Sequence, residues 1–422
     1  MYNFFKNFIY TSSTQILVFI ATFLFSVFTA RLLGPLEQGR YALIFMSGVL
    51  IARFSSLGFE NANAYYAKSE KYGLNQLASN SIILSILSVI VNMIVLYFVA
   101  YRLNLSIYLT VLLLILTKSL LLKSLFQSIL VGKNDLKSHS FALLTDAIFQ
   151  LISIIIVHFT FELTVSNVLL INLISSIVNF LLCFRLCKFN TFKLSKELFK
   201  DSFKYGYKGW LNNLSNTLIY RVDIYIIAFY MTSADVSYYA IAVLITEKIW
   251  FFNNAIFSAL FPSLRNMNLD DGIALTALIN RCNLILSLIA ILGLLLIAKP
   301  FILIVFGLEY ETSYIPLVAL LPGILFLSIP KILISHFASM NKMQYTYLAS
   351  FPALIVNVIL NFLLIPPYGI LGAAISTSFS YFFYSIISIY FYTKITRISI
   401  SDLLIIKFRD IRYILLKFKV RK

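Results

Sequence analysis

A chain that repeats a run of about 20 mainly apolar residues many times over has few ways to fold. Such runs fall near residues 8–30, 41–59, 78–101, 105–128, 141–161, 166–186, 211–231, 238–261, 277–298, 314–337, 347–365 and 370–392. Each is long enough to cross the hydrocarbon core as a helix. In hydrocarbon only helices and closed barrels satisfy every backbone N–H and C=O. The expected fold class is therefore an all-α membrane protein with about 12 transmembrane helices. Composition agrees: 60% of the 422 residues are hydrophobic and 12% are charged, against about 25% charged in soluble chains. The first run is too long for a signal peptide, and Phe28 at position −3 from Ala30 spoils a small-x-small cleavage site, so it is read as a retained helix.

The net charge of +17 would suggest nucleic acid in a soluble protein. Here the placement of the 34 Lys and Arg explains it. With the N-terminus inside, 24 fall on the inner side, nine of them from Lys394 onward. Arg31, Arg40, Arg102 and Lys299 fall outside, and six lie within spans. That bias predicts both termini in the cytoplasm, and nucleic acid drops out as a partner. A basic stretch, 191–210, separates an N-terminal lobe of six spans (1–190) from a C-terminal lobe of six (211–393). The tail, 394–422, spaces Leu403, Leu404, Ile406, Ile411, Ile414, Leu415 and Phe418 among basic residues. It reads as an amphipathic helix lying on the anionic inner leaflet. The stretch 34–42, after the first span, aligns without gaps to 232–240, after the seventh, matching Glu37 to Asp235, Tyr41 to Tyr239 and Ala42 to Ala240. An internal repeat about an axis along the membrane normal is the expected reason. Cys183 and Cys187 read as small apolar fillers, since no His or carboxylate cluster accompanies them.

Ionisable groups inside spans are costly, so each is a functional candidate. Arg53, Ser56, Glu60 and Asn63 follow i, i+3, i+7, i+10, which predicts one polar stripe on the second helix. Asn212, Asn216, Tyr220 and Asp223 line one face of the seventh, with Arg221 on another. Glu247, Lys248 and Asn254 fall on the eighth, and Ser328, Lys331, Ser335 and Ser339 on the tenth. The basic Arg53, Lys118, Lys123, Arg221, Lys248 and Lys331 outnumber the acidic Asp146, Asp223 and Glu247. Lys123, near the inner end of its helix, is read as snorkelling. The others predict a cavity of net positive lining, with Glu60, Asn63 and Asn216 offering polar contacts. That cavity suits an anionic, hydroxyl-bearing ligand. Asp223 and Glu247 have two readings: counter-ions to nearby cations, or a site for a coupling proton or Na⁺. No cofactor or metal site is expected. Pro316, Pro322 and Pro330 are expected to interrupt the tenth helix and Pro366-Pro367 to end the eleventh. The short apolar stretch 301–307 is placed on the outer surface.

Several stretches also look familiar in order along the chain. They are Ala30-Arg-Leu-Leu-Gly-Pro-Leu-Glu-Gln-Gly-Arg-Tyr41, Ser56-Leu-Gly-Phe-Glu60, Arg221-Val-Asp-Ile-Tyr225, Tyr239-Ala-Ile-Ala242 and Phe261-Pro-Ser-Leu264. The clearest is Asn357-Val-Ile-Leu-Asn361 followed by Ile365-Pro-Pro-Tyr-Gly-Ile-Leu-Gly-Ala-Ala374. The chain resembles the polysaccharide exporters, especially O-antigen-type flippases, of the multidrug/oligosaccharidyl-lipid/polysaccharide (MOP) flippase superfamily. Ser237 stands where a second glycine is expected, which weakens the repeat more than the resemblance. The resemblance implies two six-helix lobes in a V and alternating access. It also implies export of a polyprenyl-diphosphate-linked repeat unit (O-antigen, capsule or similar) across the bacterial cytoplasmic membrane. Arg53, Arg221, Lys248 and Lys331 would then hold the diphosphate. Lipid-linked oligosaccharide and membrane lipids would be its partners, with a polysaccharide polymerase or chain-length complex beside it. Coupling to H⁺, Na⁺ or membrane potential is left open.

Three other readings compete. A drug/cation antiporter of the same superfamily would prefer an acidic cavity. A peptidoglycan-precursor flippase would share the anionic headgroup. A membrane glycosyltransferase or polymerase would need a larger outer loop with catalytic groups, whereas the stretch near 298–314 offers only Glu309 and Glu311. No Walker A or HExxH motif is present, so the chain is not expected to be an enzyme.

Overall fold

The computed structural model describes residues 2–69, 71–250, 260, 264, 267–340 and 342–406, with side chains from residue 13 onward. Among them every regular element is helical. They are α1 (Tyr2–Ser55), α2 (Phe59–Tyr66), α3 (Leu74–Leu103), α4 (Ile107–Gly132), α5 (Leu136–Thr160), α6 (Val165–Leu186), α7 (Lys196–Tyr230), α8 (Ser233–Glu247), α9 (Leu269–Val305), a 3-10 turn (Leu308–Ser313), α10 (Tyr314–Ser339), α11 (Gln344–Thr396) and α12 (Ile400–Leu404). Among the described residues, eight helical stretches are long and apolar enough to cross a membrane. Only 17% of the most apolar window of α9 is buried within the protein, and Ile289, Leu296 and Ile304 on it are exposed. Apolar faces of that size need hydrocarbon around them. The protein is a multi-pass membrane protein.

Several expected boundaries move. The loop expected between the first two spans is absent, because α1 runs through it and breaks only at Gly34 (φ 70°, ψ 169°), just before Pro35. A residue without Cβ reaches that conformation without strain. Farther on, α1 stops at Ser55. Leu57 (φ 44°) and Gly58 (φ 84°) turn the chain, and α2 starts afresh at Phe59. The expected single stripe of Arg53, Ser56, Glu60 and Asn63 is therefore divided between two helices. α7 packs closely on this turn: a Cβ on Gly58 would lie 2.3 Å from the carbonyl of Gly206.

Most of the expected linker, 191–210, is the first part of α7. Its Leu198, Ser202 and Gly206 are buried while Lys196, Lys200, Lys204 and Lys208 are exposed. The stretch 301–307 is no surface segment as far as Val305, since α9 continues through Pro300. Nor do prolines interrupt α10: Pro322 and Pro330 lie inside it, and Pro316 is in its first turn. Pro330 leaves the Phe326 carbonyl without its helical N–H, and Ser385 Oγ of α11 donates to that oxygen at 2.6 Å. Pro366-Pro367 do not end the eleventh helix either. The break within α11 comes at Gly369 (φ 59°, ψ −139°).

The start of the tail also departs from expectation. Leu403, assigned to the membrane surface, is fully buried against Ala277, Phe337 and Tyr392. Asn280 Nδ2 donates to its carbonyl at 3.0 Å. The remaining tail (407–422), Asn254, Arg265 and 261–263 of the Phe261-Pro-Ser-Leu264 motif lie outside the described residues.

By its contacts the chain forms two compact units, Met1–Thr217 with Thr232–Ser237, and Leu218–Met231 with Tyr238–Lys422. In the first, α1, α4, α5 and α6 enclose Leu112, Leu113, Leu116, Ile154 and Leu169. In the second, α9, α10 and α11 enclose Ala277, Ile329, Leu333 and Tyr392. Small polar side chains sit between helices in both units, as expected where lipid offers no hydrophobic drive to pack them. Asn179, for example, donates to Ala142 O at 2.7 Å and accepts from Gln127 at 3.0 Å.

Candidate functional site

In the first unit, charge gathers where α1 ends. The turn at 57–58 folds α2 back so that Glu60 meets Arg53, with Nη1 2.7 Å from Oε2. Trp210 Nε1 donates to the Arg53 carbonyl at 3.1 Å, capping the open end of α1. Arg53 and Glu60 line a cavity of about 160 Å³ with Lys123, Ser124 and Gln127 of α4. Lys123 does not snorkel. Its ammonium pairs with Asp146 of α5, which also accepts from Ser175 Oγ of α6. The sequence reading missed Lys123 as a cavity residue. Asp146, a carboxylate in mid-span, was the available signal, but its partner lies on another helix.

The other first-unit candidates stand elsewhere. Asn63 is buried, and its amide donates to Ser81 Oγ (2.9 Å) and Leu125 O (3.2 Å). It fastens helices together and does not line the cavity. Lys118 lies between α3 and α4, donating to Ser85 O at 3.1 Å and Ser88 Oγ at 2.7 Å. With the Asn92 amide turned so that its oxygen faces Lys118, a third acceptor stands at 2.7 Å. All three acceptors are neutral. The buried Oδ1 of Asn216 has no hydrogen-bond partner among the described residues.

In the second unit, Arg221 and Glu247 form a two-pronged pair, Nη1–Oε1 at 2.7 Å and Nη2–Oε2 at 2.9 Å. Expected to grip a diphosphate, the guanidinium fork instead grips a carboxylate, which satisfies the same geometry. Glu247 accordingly reads as a counter-ion. Lys331 lies over the Trp250 ring at 4.1 Å and the Tyr220 ring at 5.5 Å. Among the described residues it forms no ion pair. Such cation–π contacts gain strength when desolvated. Lys248 is half-buried at the end of α8, next to Glu247. Asp223 is enclosed by neutral donors: the Tyr239 hydroxyl, Thr377 Oγ1 at 3.1 Å and the Ile224 N–H at 2.9 Å. Thr377 reaches on to Asn357, and Asn357 to Asn361. The structure thus brings Arg53 to Glu60 and Arg221 to Glu247, and sets Asn63, Lys118 and Asp223 in separate hydrogen-bonded environments.

Comparison with known proteins supplies the rest. Residues 4–267 match the family described as polysaccharide biosynthesis protein. The capsular polysaccharide biosynthesis protein CapF of Staphylococcus aureus is 27% identical over 417 residues, covering 92% of this chain and 99% of CapF. A probable low-salt glycan biosynthesis flippase of Haloferax volcanii, Agl15, is 25% identical over 200 residues, 45% of this chain and 42% of Agl15. Among solved structures, an inward-facing multidrug resistance MATE transporter of the MOP superfamily superposes with TM-score 0.75 at 15% identity, covering 92% of this chain and 98% of that one. The lipid II flippase MurJ superposes with TM-score 0.72 at 18% identity, covering 92% and 89%. At such identities the superpositions speak to fold alone. This multi-pass membrane chain, helical in every regular element described and matched over residues 4–267, belongs to the polysaccharide biosynthesis protein family.

Proposed function

We propose that the protein flips a polyprenyl-diphosphate-linked oligosaccharide repeat unit across the bacterial cytoplasmic membrane. It does so by alternating access of two six-helix lobes, with twelve crossings and both termini in the cytoplasm. The observation that carries this reading is the cavity beside Arg53, where a half-exposed guanidinium stands in the wall of a space of about 160 Å³ within a lipid-embedded unit. A guanidinium at such a place suits a phosphoryl oxygen. The homology to CapF points to a saccharide cargo. Moving a diphosphate through bare hydrocarbon would cost far more than moving it along such a lining. Lys331, which forms no ion pair among the described residues, is a second-unit cation suited to an anionic group, and the aromatic faces of Tyr220 and Trp250 beside it suit sugar rings.

Asp223 is the place for a coupling cation or proton. Its hydrogen-bond donors among the described residues are all neutral, and Asn361 Oδ1 in the adjoining network lacks a hydrogen-bond partner among them. Glu247, the other candidate, already gives both its oxygens to Arg221, which favours Asp223. Leaflet transfer of a labelled polyprenyl-diphosphate oligosaccharide in proteoliposomes tests the reading. Protein-dependent transfer is expected, with loss of its gradient dependence in Asp223→Asn. Transfer no faster than in protein-free liposomes would end it.

A further inference from the structure

Taking the flippase reading as premise, we infer that the first-unit cavity is an anion subsite in which Lys123 exchanges its resting partner, Asp146, for a phosphate oxygen of the cargo. Two cations reach the cavity from different elements, Arg53 from the end of α1 and Lys123 from α4. Each is balanced when the cavity is empty, Arg53 by Glu60 and Lys123 by Asp146. Two unbalanced cations in a low-dielectric site would repel strongly. Resting carboxylates hold the site together until an anion arrives.

The two pairs are not equivalent. The Arg53 side chain is 44% exposed and that of Lys123 17%, so an entering anion meets Arg53 first and Lys123 deeper in. Asp146 has a second donor, Ser175 Oγ, which it keeps when Lys123 leaves. At about 160 Å³ the cavity is of a size to admit a phosphate group. Ser124 and Gln127 on the same wall offer further hydrogen bonds.

A purely structural ion pair and an exchanging one differ in sign. If the pair only braces α4 against α5, removing either partner harms the protein alike. If Asp146 competes with the cargo for Lys123, removing Asp146 favours binding. The test measures undecaprenyl diphosphate binding to the full-length protein in nanodiscs. Lys123→Gln is expected to weaken binding at least about tenfold, the worth of one charge-assisted hydrogen bond. Lys123→Arg should stay within about threefold, and Asp146→Asn should bind more tightly than wild type. The double variant Lys123→Gln/Asp146→Asn leaves no lone buried ion. It should fold with an unchanged melting temperature and bind as weakly as Lys123→Gln. Wild-type affinity in the double variant would overturn the subsite while leaving the flippase reading in place, and so would weakened binding in a folded Asp146→Asn. No binding to the wild type would sink both.

Discussion

Arg221 and Glu247 show what a charge inside a span requires. Each side chain is about a fifth exposed, so neither can rely on water, and the two-pronged contact satisfies both. Removing one partner strands the other. Arg221→Met should therefore cost about 3–5 kcal/mol, whereas Arg221→Met combined with Glu247→Leu should be close to neutral. Unfolding by steric trapping in bicelles would measure both. Neither residue announces the other in the sequence: they lie 26 positions apart on different helices. The same is true of Lys123 and Asp146, 23 apart, and of Asp223 and Thr377, 154 apart. That Arg221, Glu247 and Asp223 carry charge within spans was legible, and partnership was not.

Among the elements, α7 departs furthest from expectation. A run of lysines read as linker became helix because its opposite face fits the first unit. Phe199 packs on Phe59 at 4.8 Å between ring centres, and Gly206 lets the two backbones touch. A Cβ at Gly206 would lie 2.2 Å from Gly58 O. Gly206→Ala should lower stability by about 1–3 kcal/mol, the cost of overpacking. Gly293 of α9 has nothing within 4 Å of its Cβ position, and Gly293→Ala should be neutral or gain up to about 1 kcal/mol. Melting of the two variants side by side checks the contrast.

The α2–α3 loop is tied to α7 by Lys71, which pairs with Glu197 (2.8 Å) and Asp201 (3.0 Å). Tyr72 donates to Asp201 at 2.6 Å. That hydroxyl, and then Lys71, hold the Asp201 carboxyl below the usual carboxylate range. A lowered folded value means stabilisation present above the unfolded value, about 3.9, and lost as pH falls through the folded one. Hydrogen-exchange protection of residues 67–69 and 71–73 should stay level from pH 8 to 5 and fall only in stronger acid. Because these groups are exposed, high salt should weaken the tie as well.

For the whole molecule, orientation is the property that charge placement predicts most sharply. In a variant without Cys183, Cys187 and Cys282, an impermeant maleimide should label Asn104→Cys in intact cells. Lys204→Cys should react only after permeabilisation. The reverse pattern would overturn the cytoplasmic placement of both termini. The sequence by itself determined the class of the molecule, because apolar runs of membrane length leave the backbone no alternative to helices. It also showed which residues carry charge at membrane depth. Only the tertiary structure decided where helices break and which charges remain available. Gly34, Gly58 and Gly369 break helices, whereas Pro322 and Pro330 do not. Arg221 is matched by Glu247, while Lys331 rests on aromatic faces. The physical reason is common to both outcomes: a freed carbonyl or a buried charge takes its partner from whichever neighbouring helix face packs against it, and that rotation is set by packing across the unit, which no local spacing encodes.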